Sequence, residues 1–414
     1  MFRRSIRAMR RTAAGFFGLA LLVACHGILD VQQPTRVPES TLNDPALANV
    51  LVQGAVADFE CAAANYTAAT GLLTDELIDA TGWIAITMWD QRRILPDNGN
   101  LGTGDCTSLG YGIYTPLQTA RFQAEDVTKR IQAFSDAQVP NKTSLLATAA
   151  AYEGYALTLL AEGMCVLTVD GGPAMTPSEG LVKAEERFTS AITQAQAANN
   201  TAILNMARVG RARVRLDRGA DPLPDAQAVP QGFVMNATYS AATQRRWNVV
   251  AVDMHTNLYL TVDPRFRNLT VGGVPDTRVP TRDASRNGHD GITRLWLQNK
   301  YLKNTDPIPL ATWREAQLII AEVSGGQTAV DAINRLRSAA GLPAFQSTDP
   351  AAIQAQVYEE RRRELYLDGH RLGDMLRLKL PFDTGVTPKG VPYGNTTCLP
   401  LPDAERLNNP NANG

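Results

Sequence analysis

QVYEERRRELYLDGHRLGDMLRLK, residues Gln356–Lys379, is the stretch from which the fold can be read. Its first half has no glycine or proline and is rich in Glu, Arg and Leu, so it predicts a helix running to Leu367. Six charged side chains stand in a row there: Glu359, Glu360, Arg361, Arg362, Arg363 and Glu364. Asp368-Gly369-His370 then breaks the helix, Gly369 allowing a turn that a side chain would resist, and Arg371 to Lys379 continues. Arg361, Arg362, Arg371 and Arg377 can pair with Glu360, Glu364 and Asp374 in planar, two-pronged contacts and lock a helix corner. This reading makes the block structural and leaves ligand contact to other residues.

Outward from it, helical stripes recur. Ala316, Ile319, Ile320 and Val323 predict a helix at 310–323, and Ala329, Ala332, Ile333, Leu336 and Ala340 predict another at 327–340. Gly325-Gly326 separates them, and Gly341-Leu342-Pro343 stops the second. Further helices are expected at 45–64, 66–80, 115–135, 143–163, 178–197 and 201–218. Asp44 and Pro45 supply the opening of the first. Helix pairs of this length with alanine stripes are the physical mark of tetratricopeptide-like repeats. Ala184, Phe188 and Ala191 suit the second helix of such a unit, and Gly154 the small position of a first helix. Between the helices lie irregular inserts at about 81–114, 165–177 and 219–309. Residues 81–112 hold six glycines and two tryptophans, and 219–309 is rich in proline, which favours short strands and loops. The expected fold is all-α (mainly helical): a tetratricopeptide-like helix-pair scaffold with loop-rich inserts.

Glu360, Arg361, Arg362, Glu364, Leu365, Gly369, Arg371, Asp374 and Arg377 match the pattern E-R-R-x-E-L-x-x-E-G-x-R-x-x-D-x-x-R. That pattern resembles a signature of the SusD/RagB family of outer-membrane nutrient-binding lipoproteins. Asp368 stands where the family often has Glu. Lys300-Tyr301 with Pro307 to Glu322, Ala332 to Pro343, and Cys398 to Asn411 resemble three more of its segments. The resemblance implies one SusD-like domain over 45–414. It also implies a non-catalytic role: capture of an oligosaccharide, or in some relatives a peptide, and delivery to a SusC-like TonB-dependent barrel.

The N-terminus agrees. Arg3, Arg4, Arg7, Arg10 and Arg11 precede the apolar run AAGFFGLALLVA at 13–24, the form of a secretory signal. Leu22-Val23-Ala24-Cys25 resembles a lipoprotein cleavage site. Residues 1–24 are therefore read as signal peptide, Cys25 as the lipidated residue, and 25–44 as an extended tether. His26, where an Asp would retain the anchor at the inner membrane, points to the outer membrane, and the resemblance implies that the protein faces the cell surface. Without residues 1–24 the chain has 35 basic and 41 acidic residues. Such a balance excludes a coat for nucleic acid, which needs a basic excess. Cys61, Cys106, Cys165 and Cys398 remain, an even number in an oxidising compartment, hence two disulfides with three possible pairings. Cys61–Cys106, which flanks one loop, and Cys165–Cys398 are favoured.

A sugar site needs flat aromatic faces and planar polar groups. The first insert offers Trp83, Trp89, Asp90, Gln91, Arg92, Tyr111 and Tyr114; Trp296 with Arg294 and Asn299 is a second place. Trp313 opens a helix and is read as core. Nucleophile, phosphate-loop and dinucleotide motifs are absent from the sequence, as are C-x2-C and H-x3-H spacings, so no catalytic residue, cofactor or metal is expected. Two other readings are open: a helical-repeat interaction scaffold on the membrane surface, and a glycoside hydrolase whose carboxylates lie far apart in the chain. Cys25→Ala is expected to move the protein from the membrane pellet to the soluble fraction on centrifugation. Continued sedimentation with membranes would contradict the lipid anchor.

Overall fold

The computed structural model describes residues 39–413. The signal stretch 1–24, Cys25 and the tether up to residue 38 lie outside the described residues. Glu39–Asn43 is a short 3-10 turn, and the chain from Pro45 onward forms its own compact unit.

Alanine-rich sequence without a breaker makes one helix, α1 (Ala48–Leu73), where two were expected at 45–64 and 66–80. Nothing in Asn65 or Tyr66 stops a helix whose surroundings bury it. Thr67 and Thr70 return their hydroxyls to the carbonyls of Ala63 and Tyr66, at 2.9 and 2.7 Å, so their polar groups are satisfied inside the helix. The residues expected to end the second helix instead form a strand, β1 (Leu77–Asp79).

The next helices fall close to their expected positions: α2 (Tyr114–Ala133), α3 (Lys142–Gly163), α4 (Pro177–Ala197) and α5 (Thr201–Arg218). Each packs along its neighbour in the chain. The start of α4 is fixed by a capping box, Thr176 and Glu179 bonding each other's backbone N–H, with Pro177 next. Phe188 on α4 is the packing key, fully buried between two glycines. A Cβ at Gly154 on α3 would lie 2.8 Å from its ring, and one at Gly210 on α5 2.4 Å from it. Small residues on both neighbours let three helices close on one ring.

The 219–309 insert holds short strands, as its prolines suggested. β2 (Val234–Ala237) pairs antiparallel with β8 (Ile308–Thr312), and β3 (Leu260–Val262) with β1. β4 (Thr270–Val271) pairs with β5 (Val274–Pro275), and β6 (Thr281–Asn287) with β7 (Arg294–Gln298). Because 308–312 is taken up by β8, the helix expected from 310 begins later, as α6 (Trp313–Ser324), with Thr312 Oγ1 accepting from Glu315 N–H at 3.0 Å. α7 (Gly326–Ala339), α8 (Pro350–Glu364) and α9 (Arg371–Arg377) follow, and short helical turns such as Ile84–Asp90 and Asp403–Arg406 lie in the connecting segments.

The charged stretch ties these parts together, with the expected partner at Asp374 and with other partners elsewhere. Arg361 meets Asp374 through Nε and a terminal nitrogen at 3.2 and 2.7 Å, and Arg377 reaches Asp374 at 3.1 Å. Glu360, however, is held by Arg278 and by Arg337 on α7, at 2.5 and 2.8 Å. Glu364 is held by Arg278 and Arg314, and Arg362 by Glu359. Arg371 makes two 2.6 Å bonds to Asp75, just past α1. Neighbouring residues on a helix face different ways, so the block reaches outward to several elements. Gly369, at φ +79°, turns the chain against Thr67 of α1.

Both favoured disulfides are present. Cys61 and Cys106 have Cα atoms 5.9 Å apart, Cys165 and Cys398 5.1 Å. Gly210→Ala is expected to destabilise the protein by about 1–3 kcal/mol through overpacking on Phe188. Urea unfolding checks this, and an unchanged midpoint would show that the glycine is not needed there.

Candidate functional site

The site grows from the end of β1. Asp79 is fully buried, and its carboxylate accepts from Thr81 N–H and Oγ1 at 2.8 and 2.7 Å and from Thr87 Oγ1 at 2.8 Å. Thr81 Oγ1 in turn accepts from Trp83 N–H at 2.8 Å, and Gly82 sits at φ +77°. This turn sets Trp83 on the surface, 37% exposed.

Two other segments come to it. Ala80 N–H donates to Tyr259 O at 2.7 Å, and Leu258 adopts φ +61°, a left-handed conformation uncommon for a residue with a side chain. The loop between β6 and β7 closes from the other side: His289 N–H donates to Leu258 O at 3.1 Å and Asp290 N–H to Ala80 O at 2.9 Å. The result is an aromatic ridge. Ring centroids are 4.9 Å apart for Trp83–Tyr259, 4.6 Å for Trp83–His289 and 5.5 Å for Tyr259–His289. Ile84 and Ile292, 72% and 73% exposed, follow Trp83 and His289 closely in the chain.

Lys389 pins the ridge from below. Its ammonium donates to Asp79 at 2.8 Å and pairs with Asp290 at 2.9 Å, so one cation joins the Trp83 turn to the His289 loop. Burial works against the charge on Asp290, but hydrogen bonds from Thr293 and Lys389 outweigh it and lower its pKa to about 2.

Tyr259 also lines a cleft of about 160 Å³, with Asn65 of α1, Gln244, Trp247, Asp253 and the Thr107–Tyr111 loop around it. The Cys61–Cys106 bridge anchors that loop to α1. Gly110 and Tyr111, at φ +87° and +65°, turn it inward, and Tyr111 Oη donates to Asp253 at 2.7 Å. Asn257 donates to the other carboxylate oxygen at 2.8 Å. Burial raises the Asp253 pKa to about 6, against the pull of these two bonds. Trp247 keeps a buried indole N–H with no hydrogen-bond partner among the described residues. The arrangement thus combines an apolar ridge, an unused donor and a carboxylate acceptor.

The other residues suggested by the sequence are held inside the chain. Trp89 is fully buried and donates to Gly110 O at 2.8 Å, supporting the cleft loop. Asp90 is buried, and desolvation, with the neighbouring Asp79, raises its pKa to about 8. Arg92 donates to the carbonyls of Asp383 and Gly394, with Phe382 and Tyr393 rings at 5.6 and 5.4 Å. Tyr114 is buried with its hydroxyl 3.0 Å from Thr168. Trp296 is half-buried on β7 under Arg267, 5.3 Å away, and apart from the ridge contacts. The structure therefore brings Trp83 and Tyr111 to one site. Tyr259, His289, Trp247, Asp253 and Asn65 join them without any signal in the sequence. They come from a core helix buried on many sides and from an insert with no periodicity.

Comparison with known proteins bears on the fold. The sequence model of the SusD family matches residues 315–411. A SusD-like carbohydrate-binding protein from Bacteroides vulgatus ATCC 8482 is 14% identical, with TM-score 0.64 over 89% of this chain and 97% of that one. A SusD-like protein from Bacteroides fragilis NCTC 9343 is 12% identical, with TM-score 0.70 over 91% and 98%. Surface glycan-binding protein A from Bacteroides thetaiotaomicron is 13% identical, with TM-score 0.64 over 86% and 96%. At these identities the likeness concerns the fold. No curated protein sequence matches the chain.

Lys389→Met leaves the buried Asp79 without its cation and is expected to cost about 3–5 kcal/mol. It should also raise acrylamide quenching of Trp83, read against a Trp83→Phe background, while Lys389→Arg keeps both near wild type. Equal quenching in all three proteins would show that the pin does not set the ridge.

Proposed function

We propose that this chain, which carries the SusD family segment on a SusD-like fold, is a non-catalytic nutrient-binding lipoprotein of the outer-membrane surface. It captures an oligosaccharide and passes it to a SusC-like TonB-dependent transporter. The observation that carries this reading is the Trp83–Tyr259–His289 ridge beside a polar cleft. Aromatic faces cover the C–H surface of a sugar ring, and groups such as the Trp247 N–H and Asp253 carboxylate meet its hydroxyls. The lipoprotein signal read at Leu22–Cys25 supports the anchor, and the carbohydrate-binding relatives support the ligand class.

A glycoside hydrolase reading finds less support. That chemistry needs two carboxyl groups flanking one bond, about 5–9.5 Å apart. Among the described residues lining the cleft, Asp253 is the single carboxylate. A peptide ligand would use backbone hydrogen bonding along a strand edge or groove, for which a three-ring ridge is not required. A bare scaffold would not need an exposed ridge next to an unused buried donor.

The test is to purify the lipidated protein from detergent-solubilised membrane and titrate it with a panel of oligosaccharides. A stoichiometric TonB-dependent barrel should co-purify. Trp83→Ala combined with Tyr259→Ala should weaken the best glycan at least tenfold, about 1.4 kcal/mol, with an unchanged melting temperature. No barrel and no glycan would overturn the proposal; glycan binding unaffected by the double variant would move the site elsewhere.

A further inference from the structure

The balance of charge around the cleft bears on what kind of ligand it takes. Asp253 sits in the cleft with both carboxylate oxygens hydrogen-bonded, to Tyr111 and Asn257 at 2.7 and 2.8 Å. Asp105, which opens the disulfide loop, does not line the cleft. It accepts from Thr107 N–H and Oγ1 at 2.8 Å each, and these bonds, with Ser108, hold its carboxyl below the usual range. Asp253 is the one anion among the described residues that line the space.

No cationic side chain lines the cleft among the described residues. The basic residues closest in the chain are engaged elsewhere. Arg245 and Arg246 follow Gln244, yet Arg245 pairs with Asp58, and Arg246 with Glu60 at 2.7 Å and with Thr238 O at 2.8 Å. Lys389, under the ridge, is shared by Asp79 and Asp290. A carboxylate or sulfate entering the cleft would lose its water and face like charge with no guanidinium or ammonium to meet it. An uncharged ring meets no such obstacle, and an ammonium finds Asp253 as counter-ion. Rejection by an unpaired like charge is a route to specificity that needs no extra attractive contact.

We propose that the cleft selects its ligand by charge: it accepts neutral or amino sugars and rejects uronic and sulfated ones. This rests on the glycan-capture reading above and names the substrate class of that same site. The discriminating feature is Asp253, acting through its charge; its shape is shared with asparagine.

The experiment uses the full-length protein and matched glycan pairs on one array at pH 7.5. Oligogalacturonates are compared with their methyl esters, sulfated with desulfated glycans, and chitosan with chitin oligomers. The charged acidic member of each acidic pair should bind at least tenfold more weakly than its neutral partner. Asp253→Asn, which keeps the acceptor for Tyr111, should shrink that gap to less than threefold and remove any preference for chitosan over chitin. An acidic glycan bound as tightly as its neutral partner overturns the charge rule and leaves glycan capture standing. Binding of no glycan at all overturns glycan capture and the charge rule together. Should Asp253→Asn fail to fold, the wild-type pairs alone decide the matter.

Discussion

Asp374 is the residue on which the architecture turns. It is buried, and burial alone would drive its carboxyl to the neutral form. The guanidiniums of Arg361 and Arg377 overcome that and hold it well below the usual carboxylate range. Arg361 belongs to α8 and Arg377 to α9, and Arg377 continues to Glu322 on α6 and to Asp217 on α5. One ionised carboxylate thus sits at the meeting of four helices. A group depressed in this way adds stability at neutral pH, and that contribution is lost as pH falls from its unfolded value towards its folded one. Removing one partner of such a buried cluster is costly because the others are left charged and dry.

Around that cluster the fold is arranged so that the irregular parts meet at one place. Arg371 ties α9 to the end of α1 through Asp75, where β1 begins and leads to Trp83. β1 pairs with β3, which brings Tyr259 alongside, and β3 packs on β7, whose hairpin loop carries His289. The Cys61–Cys106 bridge attaches the other wall of the cleft to α1. Left-handed backbone at Tyr111 and Leu258, two residues with side chains, clusters at this site, in keeping with strain being held where a rigid frame imposes it. The helical scaffold supplies the frame, and segments of two inserts supply the surface.

How far the sequence disclosed this depends on which interactions were local. The charged stretch was legible as a helix corner because its residues are contiguous. Its partners Arg278, Arg337 and Asp75 were not, since they lie in other elements and no spacing rule reaches them. α6 and α7 were legible through their stripes, and Phe188 through its small neighbours. The single long α1 was missed because its burial on many sides hides any stripe. In the site, Trp83 could be named from composition. Trp89 and Tyr114 carried the same signal but pack inward, a choice made by tertiary contacts. Tyr259 and His289 gave no signal at all: one follows a left-handed leucine and the other sits at a hairpin tip.

The central claim is that ligand recognition lies on the Trp83–Tyr259–His289 ridge and in the cleft bordering it. The most direct measurement is hydrogen–deuterium exchange of the protein with and without a saturating glycan. The account predicts added protection confined to 80–84, 106–111, 253–259 and 288–293, with the helices α2 to α5 unchanged. Protection centred on another face, with those four segments unaffected, would contradict it.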